Sequence, residues 1–118
     1  MAKVLISPGK YVQGAGEMKK LGEYAQNYGK KALILISKGG YKRIGAMVEK
    51  SFEGKECGYV FDYFNGECSK KEIKRLGEIV KKEACDVVIG IGGGKIFDTA
   101  KAVAYYEKTP VLICPTIA

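Results

Sequence analysis

Apolar residues along this chain follow two alternating patterns. Short unbroken runs occur at Ala32-Leu33-Ile34-Leu35-Ile36, at Val87-Val88-Ile89 with Ile91 close behind, and at Val111-Leu112-Ile113-Cys114. Such runs read as strands buried on both faces of a parallel sheet. A shorter run from Lys3 to Ile6 is broken at Pro8-Gly9, with Tyr11-Val12 resuming it, and Gly58-Tyr59-Val60-Phe61 opens another strand. Between the runs the apolar spacing turns helical. Met18, Leu21, Ala25 and Tyr28 share one face up to Gly29. Tyr41, Ile44, Val48 and Phe52 share another up to Gly54. Ile73, Leu76 and Val80 form a third stripe, and Ile96, Phe97, Ala100, Val103 and Ala104 a fourth, closed by Lys108-Thr109-Pro110. Ser37-Lys38-Gly39-Gly40 reads as the loop after the second strand, and Asn65-Gly66-Glu67-Cys68 as another loop. Ser69-Lys70-Lys71-Glu72 has the capping-box pattern: the serine oxygen takes one orphan N–H, and the glutamate reaches back to the serine backbone. Strands alternating with helices of this length predict an α/β fold, a Rossmann-like parallel sheet with helices on both faces, in a single domain. No internal repeat, linker or low-complexity tract interrupts residues 1–118.

The stretch with most chemistry in it is DVVIGIGGGKIFDTAK, residues 86–101. A buried strand runs into Gly92-Gly93-Gly94, then Lys95, then a helix. Glycines let a ligand approach the backbone, the free N–H groups of the first helical turn point at an anion, and Lys95 adds a full positive charge. The same glycines would also serve to close a tight connection between strand and helix. The dinucleotide fingerprint fits poorly, because the acidic residue expected about 20 residues further on is absent. The chain there reads Lys108-Thr109-Pro110-Val111. In such folds ligands bind at the carboxyl ends of the strands. Three notable places collect there: Ser37-Lys38-Gly39-Gly40, Gly92 to Lys95, and Pro115-Thr116. That convergence favours nucleotide binding over a packing turn.

Composition narrows the picture further. The chain has 118 residues, 47% hydrophobic and 28% charged, which is globular and large enough for a real core. Its net charge of +7 comes from 20 Lys+Arg against 13 Asp+Glu. The lysines stand mostly beside glutamates, as in Lys70-Lys71-Glu72 and Lys81-Lys82-Glu83, and read as solvated helix faces rather than a nucleic-acid surface. There is no apolar run long enough to cross a bilayer and no signal-peptide pattern, so no membrane partner and a cytoplasmic location are expected. Four cysteines lack C-x-x-C spacing and the chain has no histidine, so no zinc site or Cys-His nucleophile is expected from it. Cys85 and Cys114 read as buried free thiols.

Several segments in register resemble the bacterial glycerol dehydrogenases of the metal-dependent, iron-type alcohol dehydrogenase superfamily. They are SPGKYVQGAG at residues 7–16, VEKSF at 48–52, GECS at 66–69, GIGGGKIFDTAK at 90–101 and PTIA at 115–118. The resemblance covers essentially the whole chain. It implies an N-terminal α/β cofactor domain, to be followed by a helical domain that supplies the metal ligands. It also implies oxidation of glycerol to dihydroxyacetone with NAD and zinc. Carried over by motif, Gly92, Gly93, Gly94, Lys95 and Asp98 would lie around the cofactor pyrophosphate. Thr116 would contact the cofactor near its adenine side. Ser37 stands where the family usually has an aspartate gripping the adenosine ribose, which opens the site to NADP as well as NAD.

The family's metal ligands, an aspartate and two histidines, have no counterpart in these residues. No catalytic residue and no metal ligand are therefore assigned, and the chain by itself is expected to be inactive. The polyol substrate would engage only with the missing domain. A homo-oligomer is expected, from apolar surface such as Ile117 that such a domain would cover. The rival readings are a non-catalytic nucleotide-binding or assembly module, and a piece of a related dehydroquinate synthase or glycerol-1-phosphate dehydrogenase.

Overall fold

The computed structural model describes residues 9–11, as backbone, and residues 18–115. The strand expected at Lys3 to Ile6 lies outside the described residues. Five strands form one sheet: β1 (Gly9–Tyr11), β2 (Lys31–Ile36), β3 (Gly58–Tyr63), β4 (Val87–Gly92) and β5 (Val111–Pro115). Every pairing is parallel, in the order β1-β5-β4-β2-β3. Gly9 is the first residue of β1, and Pro8, expected with it to break a strand, lies outside the described residues. Four helices make the connections: α1 (Leu21–Ala25), α2 (Lys38–Ser51), α3 (Lys70–Lys82) and α4 (Gly94–Glu107).

The period of two along each strand divides the core into two layers. On one face Ala32, Ile34, Ile36, Val87, Ile89, Ile91, Leu112 and Cys114 pack against Leu21 and Ala25 of α1 and Val48 of α2. On the other, Leu33, Leu35, Val88, Val111 and Ile113 pack against Leu76 and Val80 of α3 and Ile96, Ala100, Val103 and Ala104 of α4. The expected helices on both faces are present. Strand β3 lies at one edge of the sheet, and its residues are half-buried or exposed. On its inner side a ring cluster forms, with Tyr41 edge-on to Phe61 at 5.0 Å and Phe61 edge-on to Tyr59 at 5.6 Å.

Two local details differ from the expectations. Helix α2 starts at Lys38, so Gly39 and Gly40 are helical and not loop. Glycine disfavours helix by about 1 kcal/mol against alanine, but two local effects override it here. Ser37 Oγ accepts the Gly40 N–H at 2.9 Å, and Gly40 sits so close to Ile36 that an added Cβ would lie 3.1 Å from its Cγ1. At the start of α3 the capping box is half formed. Ser69 Oγ accepts the Glu72 N–H at 3.1 Å as expected. The Glu72 carboxylate, however, does not return to Ser69; it accepts from Asn65 N–H and from Arg75. An arginine one turn on offers a charged partner, which outcompetes a neutral amide.

At the opposite edge of the sheet Asp86 ties β2 to β4. Its carboxylate accepts the Lys30 N–H at 2.8 Å and the Lys31 N–H at 2.9 Å, and its own N–H donates to the Lys31 carbonyl at 2.9 Å. These bonds set the register in which Ala32 faces Val87. Removing the carboxylate in Asp86→Ala is expected to lower stability by about 1–2 kcal/mol, measured by denaturant titration. Asp86→Asn, which keeps the shape, is expected to lose less.

Candidate functional site

The sheet order decides where a ligand can sit. From β2 the chain moves outward to β3, then α3 carries it back past β2 to β4 on the other side. Connections therefore diverge at the carboxyl ends of β2 and β4, the place where open sheets of this kind carry a ligand crevice. Ile36 faces Ile91 across that pair, and Ile36 faces Tyr63 and Gly92 faces Pro115 on the flanks. Tyr63, Ser37, Gly92 and Pro115 are consequently brought to one edge. Thr116, the next residue, lies outside the described residues.

At this edge the glycines divide by cause. Gly92 has φ +146°, and an added Cβ would lie 2.7 Å from Ile96 Cδ1, so the chain's own turn requires glycine there. Gly90 lets α4 approach the strand, its missing Cβ standing 2.9 Å from that of Ala100. Gly93 and Gly94 are different. Gly93 has ordinary extended backbone, φ −114° and ψ −165°, and Gly94 opens the helix. A Cβ on either would meet nothing within 4 Å. Neither glycine is demanded by the packing of the chain, and both are exposed. A side chain at either place would fill the space directly above the turn.

That space is lined by donors. Helix α4 has Gly93 as N-cap and no side-chain cap, whereas α2 and α3 are capped by Ser37 and Ser69. Its first intrahelical bond runs from Phe97 N–H to Gly93 carbonyl at 3.0 Å, which leaves the N–H groups of Gly94, Lys95 and Ile96 without an intrahelical acceptor. The positive end of a 14-residue helix points the same way. Lys95 is exposed, with its ammonium 3.4 Å from Glu67 Oε2. Asp98, expected near the cofactor pyrophosphate, is exposed one turn beyond Gly94. Ser37 lies at the same edge with its hydroxyl engaged as the α2 cap, and the neighbouring Lys38 ammonium stands 5.9 Å from the Tyr63 ring centroid. Tyr63 carries no motif, and Glu67 falls only within the GECS match at residues 66–69, which gives it no site role. The signal that could have located them is topological: both follow from β3, whose end meets the same edge.

The loop that carries Glu67 is held from below. Glu72 is fully buried, and Arg75 donates to it twice at 2.8 Å while also reaching Asp62 at 2.9 Å and the Tyr63 carbonyl at 3.2 Å. The Arg75 hydrogen bonds hold the Glu72 carboxyl below the usual carboxylate range, against the opposing effect of burial. Cys57 and Cys85 are buried free thiols whose pKa values burial pushes up to about 11, and full burial pushes Cys114 up as well. These three stay protonated at neutral pH, which makes them poor nucleophiles. Cys68 is exposed. Among the described residues no three of His, Cys, Asp and Glu come together in a way that could hold a metal ion. Nor is any helix among them long and apolar enough to cross a membrane.

Residues 8–118 match the family described as iron-containing alcohol dehydrogenase. The chain belongs to that family. It is 42% identical to the glycerol dehydrogenase of Citrobacter freundii over 118 residues, and 46% identical to that of Thermotoga maritima over 125. Both alignments take in all of this chain and 32% of the relative. The crystal structure of a probable glycerol dehydrogenase from Sinorhizobium meliloti 1021 superposes with a TM-score of 0.77 at 38% identity, over 93% of this chain and 29% of that one. The chain thus spans about a third of the length of the relatives it matches. The resemblance read from residues 7–16, 48–52, 66–69, 90–101 and 115–118 is borne out at the level of family and fold.

The Glu72–Arg75 pair has a pH signature. A carboxyl held below its ordinary pKa contributes stability in full above the unfolded-state value, near 4.3, and loses it as pH falls through the lower folded value. Glu72→Gln is expected to reduce stability at pH 7 by about 1.5–3 kcal/mol. The gap to the parent chain should close as pH drops below about 4. Urea titrations at a series of pH values check both statements.

Proposed function

We propose that this chain is the dinucleotide-binding portion of a glycerol-dehydrogenase-like oxidoreductase. The observation that carries the reading is the pair Gly93 and Gly94, whose missing side chains leave a cradle that the fold itself does not need. A pyrophosphate set over that cradle would accept the N–H groups of residues 94–96 and meet the Lys95 ammonium, with Gly92 shaping the turn and Asp98 at its rim. The adenosine half would extend toward Ser37 and Thr116, and NAD is the dinucleotide we assign. When bound, such a cofactor accepts a hydride from an alcohol carbon. This chain's part is to bind and orient it. We read residues 1–118 as the N-terminal domain. The remaining two-thirds of the relatives' length would supply the metal ligands and the glycerol site. The residues described here do not fit a metal, and no step through one is derived from them. We place the protein in the cytoplasm, where an exposed thiol such as Cys68 stays reduced, and we expect it to self-associate.

NADP is admitted by the same geometry. Ser37 and Lys38 stand at the edge where a ribose 2′-phosphate would fall, and α2 carries no acid in its first turn. An aspartate there would repel that phosphate; a serine does not.

Two titrations test these assignments. Lys95→Ala is expected to weaken NADH binding by roughly tenfold or more, about 1.5 kcal/mol, as read by fluorescence or calorimetry. Equal affinity in both proteins would remove Lys95 from the site. Ser37→Asp keeps a good helix cap, so the fold is expected to persist. Its preference for NADH over NADPH should rise by roughly tenfold against the parent chain. An unchanged ratio would place the ribose elsewhere.

A further inference from the structure

The contact between Lys95 and Glu67 joins residues 28 apart in sequence across the mouth of the proposed site. Glu67 Oε2 lies 3.4 Å from Lys95 Nζ, and both side chains are largely in solvent, with 66% of Lys95 and 75% of Glu67 exposed. A pair this open is weak and held by little beyond its own charges. The backbone beneath Glu67, by contrast, is anchored. Phe64 N–H donates to the Ile36 carbonyl at 2.9 Å, Asn65 N–H to buried Glu72 at 3.3 Å, and Glu67 N–H to Asn65 Oδ1 at 3.0 Å. The carboxylate is therefore kept within reach of the ammonium while its side chain stays free to swing away. A negative charge fixed beside a phosphate-binding lysine does not serve phosphate binding directly. It makes sense as an occupant of the lysine that a phosphate replaces.

We propose that Glu67 is an internal counterion that gates the anion-binding turn. Its carboxylate engages the Lys95 ammonium in the ligand-free state, and a phosphate of the dinucleotide displaces it. The inference rests on the dinucleotide reading of the turn and adds to it a regulator of affinity. Because the exchange trades one carboxylate for a pyrophosphate already held by three backbone N–H groups, it favours ligands that engage the whole turn over small anions that could meet only the lysine.

A double-mutant cycle with NADH as probe tests this, using the full 118-residue chain, Glu67→Gln, Lys95→Ala and the double variant at low salt. Glu67→Gln is expected to bind NADH about two- to five-fold more tightly than the parent, the size an exposed pair allows. The gain should vanish in the Lys95→Ala background, and should shrink as ionic strength rises. Glu67→Asp, which keeps the charge on a shorter arm, should gain less than Glu67→Gln. Both residues are exposed, so thermal melts of the four proteins are expected to coincide within a few degrees. Weaker or unchanged binding by Glu67→Gln would overturn the gate while leaving the site reading intact if Lys95→Ala still loses affinity. An equal gain in both lysine backgrounds would also overturn it, since Glu67 would then act on the ligand and not through Lys95. Failure of every variant and the parent to bind NADH would overturn the site reading and the gate together.

Discussion

The parallel pairing of β2 with β4 is the constraint on which the rest depends. Parallel strands cannot be joined by a tight hairpin, so every link must cross a face of the sheet, and helices are the compact way to cross. With β3 beyond β2 and β5 beyond β4, the crossovers that leave this pair run in opposite directions, the arrangement at whose strand ends such folds bind ligands. Burial on both faces then pins the register, because a shift by one residue would exchange the side chains of the two layers. The Asp86 carboxylate secures the same pair at the amino ends. The position of the glycine turn relative to Ser37 thus follows from sheet geometry and does not depend on any contact between the two loops.

Most of this architecture could be read in the chain because buried parallel strands and amphipathic helices have distinct periods. Leu33 and Ile34 lie on opposite faces of the sheet, yet both are apolar, and that doubling is what marks β2 as interior. What stayed hidden depends on competition or on distance in the chain. Gly39 and Gly40 look like loop residues by propensity, and the packing of Gly40 on Ile36 reverses that. Glu72 looked like half of a reciprocal cap until Arg75, exposed on the helix by its spacing, proved the stronger partner. The glycine turn was legible as the uncapped start of a helix from its order of strand, glycines and helix. Glu67 was not, since nothing local to Asn65-Gly66-Glu67 says that it lies beside residue 95.

The electrostatics of the edge are built from small, separable pieces. A helix end supplies partial charge, Lys95 a full one, and Glu67 cancels part of it. Basic side chains elsewhere on this +7 chain add a diffuse field that draws anions toward the molecule without choosing among them. Choice is left to the turn, where donors are fixed in direction. Burial keeps Cys57, Cys85 and Cys114 protonated, and Cys68, beside Glu67, is the exposed cysteine.

Gly93 and Gly94 bear on how this chain can evolve. Each glycine leaves the unfolded state more freedom than a residue with a side chain would, so each lowers stability. At Gly92 and Gly90 that loss is repaid inside the fold, by a turn that other residues cannot make and by a helix brought close. At Gly94 packing recovers nothing, and at Gly93 the fold recovers only the preference of an N-cap for glycine over alanine. A side chain at either place meets nothing of the chain within 4 Å of its Cβ. Under the proposed dinucleotide reading, thermal robustness and ligand occupancy pull the same two positions in opposite directions.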